Sequence, residues 1–176
     1  MIETKRSKIL TAARSVFLRY GYKRVGMNDI AEAAGISRAA LYLAFKNKEE
    51  IFVGVFQQWV DEAMADIDRG MEGLATPQEK IRYAFEIWTV RPFEMMAISP
   101  EVKELVECSF GFAQAALIEG YQKFEATIAP LLAPVGDPSR VAHLLASAVR
   151  GFKQTATTPA ELRSLIDDLL ALSRVG

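Results

Sequence analysis

Apolar residues recur every three or four positions along almost the whole chain, which is the spacing of one face of an α-helix. No stretch sustains the alternation of apolar and polar residues that a half-buried strand would show. In the first periodic segment the apolar stripe runs from Ile9 to Tyr20, and Gly21 follows it as a C-terminal stop signal. The pattern therefore predicts an all-α protein.

Two short helices joined by a glycine turn are predicted within residues 28–48, NDIAEAAGISRAALYLAFKNK. The first of them ends at Ala34, and Gly35 supplies the left-handed residue that a tight turn needs. Ser37 caps the second helix, which ends near Phe45. This order of elements is typical of a helix-turn-helix, whose second helix enters a groove of DNA.

Later helix starts are marked by cap residues followed by proline or glutamate. The runs Thr76-Pro77-Gln78-Glu79 and Thr158-Pro159-Ala160-Glu161 each combine a cap, a proline at the first helical position and a glutamate at the third. The helices predicted after the glycine turn motif cover approximately residues 47–71, 76–90, 100–130, 138–156 and 159–174, with a short element near 92–98. We expect about nine helices, arranged as one module over residues 1–47 and a second over residues 48–176.

The net charge of −1 conceals an uneven distribution along the chain. Residues 1–50 contain ten lysines and arginines against five acidic residues, whereas the rest of the chain contains eleven basic and seventeen acidic residues. A basic first quarter on an acidic body indicates that only the N-terminal end meets a polyanion. Chance clustering of ordinary surface charge is the alternative.

Composition disfavours membrane and secreted classes of protein. The chain has no run of about 18 apolar residues, and its polar N-terminus lacks the apolar segment of a signal peptide. The single cysteine, Cys108, cannot form an internal disulfide and is interpreted as a small buried apolar residue. We expect a cytoplasmic protein without membrane contact.

The second helix of the helix-turn-helix has two different faces when it is rotated by about 100° per residue. Leu41 and Phe45 fall on one side and are predicted to pack inward. The other side carries Arg38, Ala39, Ala40, Tyr42 and Leu43. A solvated helix rarely exposes leucine and tyrosine, whereas a recognition helix packs Ala and Leu on thymine methyl groups and aims Tyr at a phosphate or base edge.

Lys48 stands at the first position of the next helix, where the helix dipole disfavours a cation. Beside a DNA phosphate the same lysine and the free N–H groups of the helix end form an anion site. The alternative is a surface lysine without a function.

The order and spacing of these residues resemble the signature of TetR-family transcriptional regulators. The matching positions are Gly21-Tyr22, Ile30-Ala31, Ala34-Gly35-Ile36-Ser37, Leu41-Tyr42, Phe45 and Lys48. The resemblance covers about residues 5–52 and implies a homodimer whose two recognition helices enter successive major grooves of a palindromic operator on double-stranded DNA. By position it implies base or nearby backbone contacts for Asn28, Arg38, Ala39, Tyr42 and Leu43, and phosphate contacts for Tyr42 and Lys48.

Two positions depart from the family pattern. Gly26-Met27 stands where a threonine often caps the second helix and touches a phosphate, and Ala44 stands where an aromatic residue or histidine often contacts the DNA backbone. Both changes remove phosphate contacts. We therefore expect affinity to depend more on the remaining basic residues, which are Lys48, Lys23, Arg24, Lys5, Arg6 and Lys8.

The last two predicted helices carry apolar stripes that suit a dimer interface. The candidate interface residues are Leu144, Leu145, Ala148, Phe152, Leu165 and Leu169. The resemblance implies that two such helices from each protomer form an intermolecular four-helix bundle. A purely internal core is the alternative interpretation of both stripes.

The middle of the chain is rich in methionine and aromatic residues, which suit an adaptable apolar pocket and equally an ordinary core. As pocket-lining candidates we name Trp88, Met95, Met96 and Phe110. The resemblance implies that a small-molecule effector bound here releases the protein from DNA, so that the protein is a repressor. A helix-turn-helix dimer governed by a protein partner is the main alternative, and an all-α enzyme is a third.

Catalytic and metal-binding chemistry find little support. His143 is the only histidine, and no cysteine or carboxylate cluster stands at ligand spacing beside it. No phosphate-binding glycine loop or nucleophile elbow is present. We expect no enzyme activity, no metal and no cofactor.

Overall fold

The computed structural model describes residues 4–107 and 110–173. Cys108, predicted to be a buried apolar residue, lies outside the described residues. The described part of the chain folds entirely into helices and connecting turns, so the prediction of an all-α protein with about nine helices is confirmed. The helices are α1 (Lys5–Tyr20), α2 (Met27–Ala33), α3 (Arg38–Ala44), α4 (Lys48–Met71), α5 (Pro77–Phe85, Glu86–Val90 and Arg91–Ile98), α6 (Pro100–Val106), α7 (Gln114–Ile128), α8 (Pro138–Thr155) and α9 (Pro159–Leu172).

The chain divides into two compact units. The first contains the residues up to Val60 together with Met95–Ile118, and the second contains Asp61–Glu94 and the residues from Glu119 onward. The predicted division at residue 47 follows the sequence motif alone and stays a prediction.

In the first unit, α1 packs against α2 and α6. An aromatic cluster fills this unit, made of Phe17, Tyr22, Phe52, Phe110 and Phe112. The ring centroids of Tyr22 and Phe110 lie 4.7 Å apart, and those of Phe52 and Phe110 lie 5.4 Å apart. Phe17 and Phe52 are fully buried, and each such side chain contributes about 1.5–3 kcal/mol through the area it removes from water.

The second unit has its own core, built from α4, α5, α7, α8 and α9. Phe85 and Phe124 meet at its centre with their ring centroids 5.1 Å apart. Gly70 permits a close approach between α4 and α5, because a Cβ added there would lie 2.1 Å from Cε1 of Tyr83. Glycine at this position leaves room for the Tyr83 ring in its present place.

Helix α5 is continuous where the sequence predicted a break near residue 91. Its middle segment, Glu86–Val90, is a π-helix in which the N–H of Arg91 donates to the carbonyl of Glu86. A proline has no N–H, and its ring collides with the carbonyl four residues earlier in a regular α-helix. The wider π turn directly precedes Pro92 and accommodates that ring.

The predicted helix over residues 100–130 is instead two helices, α6 and α7. Phe110 between them has extended backbone angles, with φ −82° and ψ 133°. This conformation lets its ring join the aromatic cluster of the first unit. Burial of one large aromatic side chain has outweighed the helical periodicity of the surrounding residues.

Candidate nucleic-acid interface

The turn between α2 and α3 is set by Gly35 and Ser37. Gly35 has φ +65°, a region that favours glycine, and its N–H donates to the carbonyl of Glu32 at 3.0 Å. A Cβ at Gly35 would meet nothing within 4 Å, so the need for glycine is conformational. Ser37 then caps α3, because its Oγ accepts the N–H of Ala40 at 3.1 Å.

Helix α3 has the two faces that the sequence predicted. Leu41 and Phe45 are buried, whereas Tyr42 is 44% exposed and Leu43 is 89% exposed. Arg38 and Ala39 are also exposed, and Ala40 is half-buried. The helix therefore presents apolar and aromatic surface to solvent.

Three of the predicted DNA-binding residues are brought together on this surface. Nη1 of Arg38 donates to Oδ1 of Asn28 at 2.8 Å, and Nη2 donates to the hydroxyl of Tyr42 at 3.4 Å. The guanidinium carbon lies 5.4 Å from the centroid of the Tyr42 ring. Asn28 on α2 thus fixes the direction of Arg38, which in turn lies beside Tyr42.

Lys48 has a structural role that sequence reasoning missed. Its Nζ donates to the carbonyls of Tyr22 and Val25, both at 2.8 Å, and lies 4.2 Å from the centroid of the Tyr22 ring. The lysine therefore ties the start of α4 to the turn between α1 and α2. Burial raises the pKa of the Tyr22 phenol, with the nearby Glu49 carboxylate adding to the effect.

At both positions that depart from the family pattern, the backbone forms a hydrogen bond with a side chain of another residue. Gly26 has no side chain to cap α2, but its own N–H donates to Oδ2 of Asp29 at 2.7 Å. The carbonyl of Ala44 accepts Nη1 of Arg6 at 2.7 Å. Arg6 was expected to contact a phosphate. Its contact with the end of α3 joins residues 38 positions apart, so the local sequence could not predict it.

The four predicted pocket residues do not fall in one unit. Trp88 belongs to the second unit, where it stacks on Phe124 with the ring centroids 5.3 Å apart. Met95, Met96 and Phe110 belong to the first, and Phe110 is engaged in the aromatic cluster. A cavity of about 470 Å³ beside α1 and α2 and another of about 80 Å³ beside α5 and α9 are lined by none of the four.

The predicted dimer residues differ in how much surface they offer. Leu144 is 57% exposed, and Ala148, Phe152, Leu165 and Leu169 are half-buried. Leu145 is 3% exposed and belongs to the core of the second unit, so its side chain has almost no surface left for a partner.

The described residues offer no metal centre and no membrane span. No group of three or more metal-ligating side chains occurs there, and Nδ1 of His143 lies 3.1 Å from Oε1 of Glu125 on the protein surface. Within these ranges, none of the helices combines the length and apolar character that a bilayer span requires.

Solved structures of similar fold match nearly the whole chain. FadR of Thermus thermophilus, described as a TetR-family transcriptional repressor in complex with lauroyl-CoA, matches with a TM-score of 0.64 and 22% identity. The match covers 96% of this chain and 92% of that one. At this level of identity the likeness shows a shared fold.

Sequence comparison relates the chain to proteins named as transcriptional regulators. HTH-type transcriptional activator FasR of Mycolicibacterium smegmatis is 32% identical over 84 residues, which cover 48% of this chain and 38% of that protein. The fatty acid metabolism regulator protein of Bacillus subtilis is 31% identical over 77 residues, which cover 44% of this chain and 40% of that protein. The chain thus spans less than half the length of either relative. Residues 9–55 match the model of the bacterial regulatory proteins of the tetR family, so this segment of the chain is similar to that family.

Proposed function

We propose that this protein is a homodimeric transcriptional repressor that binds a palindromic DNA operator through α3. The outward face of that helix carries the proposal. Leu43 is 89% exposed and Tyr42 is 44% exposed, so neither contributes its full apolar area to folding. A major groove offers thymine methyl groups to the leucine and base edges or phosphates to the tyrosine.

The roles of the polar residues follow from their positions around α3. Arg38, held by Asn28, is directed toward a base edge or nearby phosphate, and Ala39 and Ala40 allow the backbone to approach the groove closely. Lys48 is proposed to hold a phosphate as well as the turn that it already contacts. The DNA-binding domain is proposed to comprise residues 1–47.

Dimerisation is proposed to use one face of α8 and α9. Leu144, Ala148 and Phe152 recur at intervals of four residues, which places them on one face of α8. Leu165 and Leu169 have the same spacing on α9, and the two helices pack against each other in the second unit. Covering this accessible apolar surface by a second copy supports an isologous interface.

The effector is proposed to be a small, largely apolar molecule bound within residues 48–176. The relative described as a fatty acid metabolism regulator and the fold neighbour bound to lauroyl-CoA make fatty acyl thioesters the first class to test. Trp88 would report binding, because its fluorescence is sensitive to changes in its stacking on Phe124.

Operator selection from a random DNA library by the purified protein tests this function. We expect an enriched sequence with two-fold symmetry, bound with at least tenfold preference over a scrambled duplex and released by the effector. Tyr42→Ala should weaken the selected duplex, while Tyr20→Ala is the matched control because Tyr20 is 45% exposed. Failure to enrich any sequence, or equal effects of the two variants, would contradict the proposed role of α3.

A further inference from the structure

Arg6 lies in the first turn of α1 but contacts the far end of α3. Its Nη1 donates to the carbonyl of Ala44 at 2.7 Å, and its Nη2 donates to Oε1 of Glu50 at 2.8 Å. The guanidinium carbon is 4.0 Å from the centroid of the Phe45 ring. One planar side chain thus joins α1, the last residues of α3 and the first turn of α4.

Glu50 completes this arrangement from α4. Its Oε2 accepts the N–H of Lys46 at 2.8 Å, while its own N–H donates to Oδ1 of Asn47 at 2.8 Å. The hydrogen bonds from Arg6 and from the Lys46 N–H lower the pKa of Glu50 below its ordinary value, so the carboxylate stays charged at neutral pH. Both oxygens of the carboxylate are therefore engaged in holding the segment between α3 and α4.

A short recognition helix has a particular need for such support. Helix α3 contains seven residues, which is too few to be stable by itself in water. The carbonyls at its C-terminal end have no partner within the helix, and a guanidinium there is favoured by the helix dipole. Arg6 supplies that partner and the favourable charge together.

We propose that Arg6 and Glu50 are positioning residues that set the orientation of α3 for sequence-specific DNA binding, and that Arg6 is not a phosphate contact. This inference rests on the proposed function of α3. An arginine is suited to the task because its fixed, planar donors can reach a carbonyl and a carboxylate at once while its face lies on a ring. A lysine at the same position would keep the charge and lose this geometry.

The positioning role and simple electrostatic attraction predict opposite changes in operator affinity for Glu50→Gln. Glu50→Gln removes a negative charge near the start of α4, so attraction of a polyanion alone predicts tighter binding to every duplex. Oε1 accepts the hydrogen bond from Arg6 and Oε2 accepts the one from the Lys46 N–H, and an amide replaces one of these two oxygens by an NH2 donor. Positioning therefore predicts weaker binding to the operator and little change on unrelated DNA.

Glu49 provides the matched control for this substitution. Glu49→Gln removes the same charge from the neighbouring residue, which is exposed, and leaves the contacts of Glu50 with Arg6 and Lys46 intact. Arg6→Lys and Arg6→Gln form the second pair. If Arg6 contacts a phosphate, Arg6→Lys should keep the affinity for DNA. If Arg6 positions α3, both Arg6→Lys and Arg6→Gln should lose the preference for the operator.

The experiment is a titration of the full-length protein and these four variants with the selected operator and a scrambled duplex, at several salt concentrations. We expect Glu50→Gln, Arg6→Lys and Arg6→Gln each to lower operator affinity roughly tenfold, with the scrambled duplex and the salt slope unchanged, and Glu49→Gln to bind at least as well as the wild type. Hydrogen exchange without DNA should show a faster-exchanging Lys46 N–H in Glu50→Gln.

Tighter operator binding by Glu50→Gln would overturn the proposal. So would a salt slope reduced by about one in Arg6→Gln and restored in Arg6→Lys, because that is the signature of a phosphate contact. A wild-type protein that prefers no duplex would instead contradict the proposed function itself. The two failures are therefore distinguishable in one set of titrations.

Discussion

Replacing Leu43 by alanine should weaken operator binding without affecting folding. Leu43 is 89% exposed in the free protein, so shortening its side chain removes almost no buried contact. Leu41, two residues earlier in the same helix, is 0% exposed. The two leucines share a helix and a chemistry and differ in what surrounds them, which makes Leu41→Ala the informative comparison.

The expected magnitudes follow from burial. Leu43→Ala deletes three carbon atoms, and burial of each contributes about 0.8 kcal/mol. The substitution should therefore weaken the binding free energy by at most about 2.4 kcal/mol per protomer, or roughly 50-fold in affinity at each half-site. Its effect on the free energy of unfolding should be near zero. Leu41→Ala should instead cost about 2–5 kcal/mol of folding free energy, because it leaves a cavity beneath α3.

Thermal unfolding followed by circular dichroism and operator titration followed by fluorescence anisotropy separate these outcomes. We expect a wild-type melting curve and a weakened operator complex for Leu43→Ala, and a lowered melting temperature for Leu41→Ala. Unchanged operator affinity in Leu43→Ala would refute the placement of this face in a DNA groove. A melting temperature lowered as far as in Leu41→Ala would refute the exposure on which the argument depends.

Three further substitutions examine the second unit. Gly70→Ala should lower stability by about 1–3 kcal/mol in denaturant unfolding, because the new Cβ displaces the Tyr83 ring from its packing position; a stability gain of about 1 kcal/mol, the helix-propensity difference, would show that Tyr83 moves freely. Arg163→Gln should cost about 1 kcal/mol and less at high salt, since Arg163 is 43% exposed while donating twice to Glu86; a loss independent of salt would argue against ion pairing. Leu144→Asp should yield a folded monomer in sedimentation at micromolar concentration, and an unchanged dimer would remove α8 from the proposed interface.

Local features of the fold were predictable from the sequence because the forces behind them act within four residues. Ser37 and Thr76 cap their helices as expected, with each hydroxyl accepting an N–H three residues later. The helical rotation of about 100° per residue correctly placed Leu41 inward and Leu43 outward. Such features need no knowledge of which distant segment lies nearby.

The features that the sequence could not predict depend on tertiary neighbours. The Arg6–Ala44 contact joins residues 38 positions apart, and the Arg6–Glu50 contact joins residues 44 positions apart. Phe110 leaves the helical pattern because aromatic partners from other elements surround it. Helical periodicity predicts which side of a helix is buried, but not which distant segment packs against that side.

The basic residues of the first 50 positions show how tertiary partners change a functional interpretation. The excess of basic residues in the first 50 positions indicated that this end of the chain meets a polyanion. Three of these residues nevertheless have partners within the protein, because Arg6 and Lys48 donate to backbone carbonyls and Arg24 pairs with Glu101 at 2.8 Å. An exposed pair such as Arg24–Glu101 contributes little to stability, and Arg24 can exchange it for a phosphate. Arg6 also holds the C-terminal end of α3, so moving it toward DNA would break hydrogen bonds that maintain the fold around this helix. The salt dependence of operator binding should accordingly report fewer phosphate contacts than the sequence count implies, because cations that stabilise the recognition helix release no counterions from DNA.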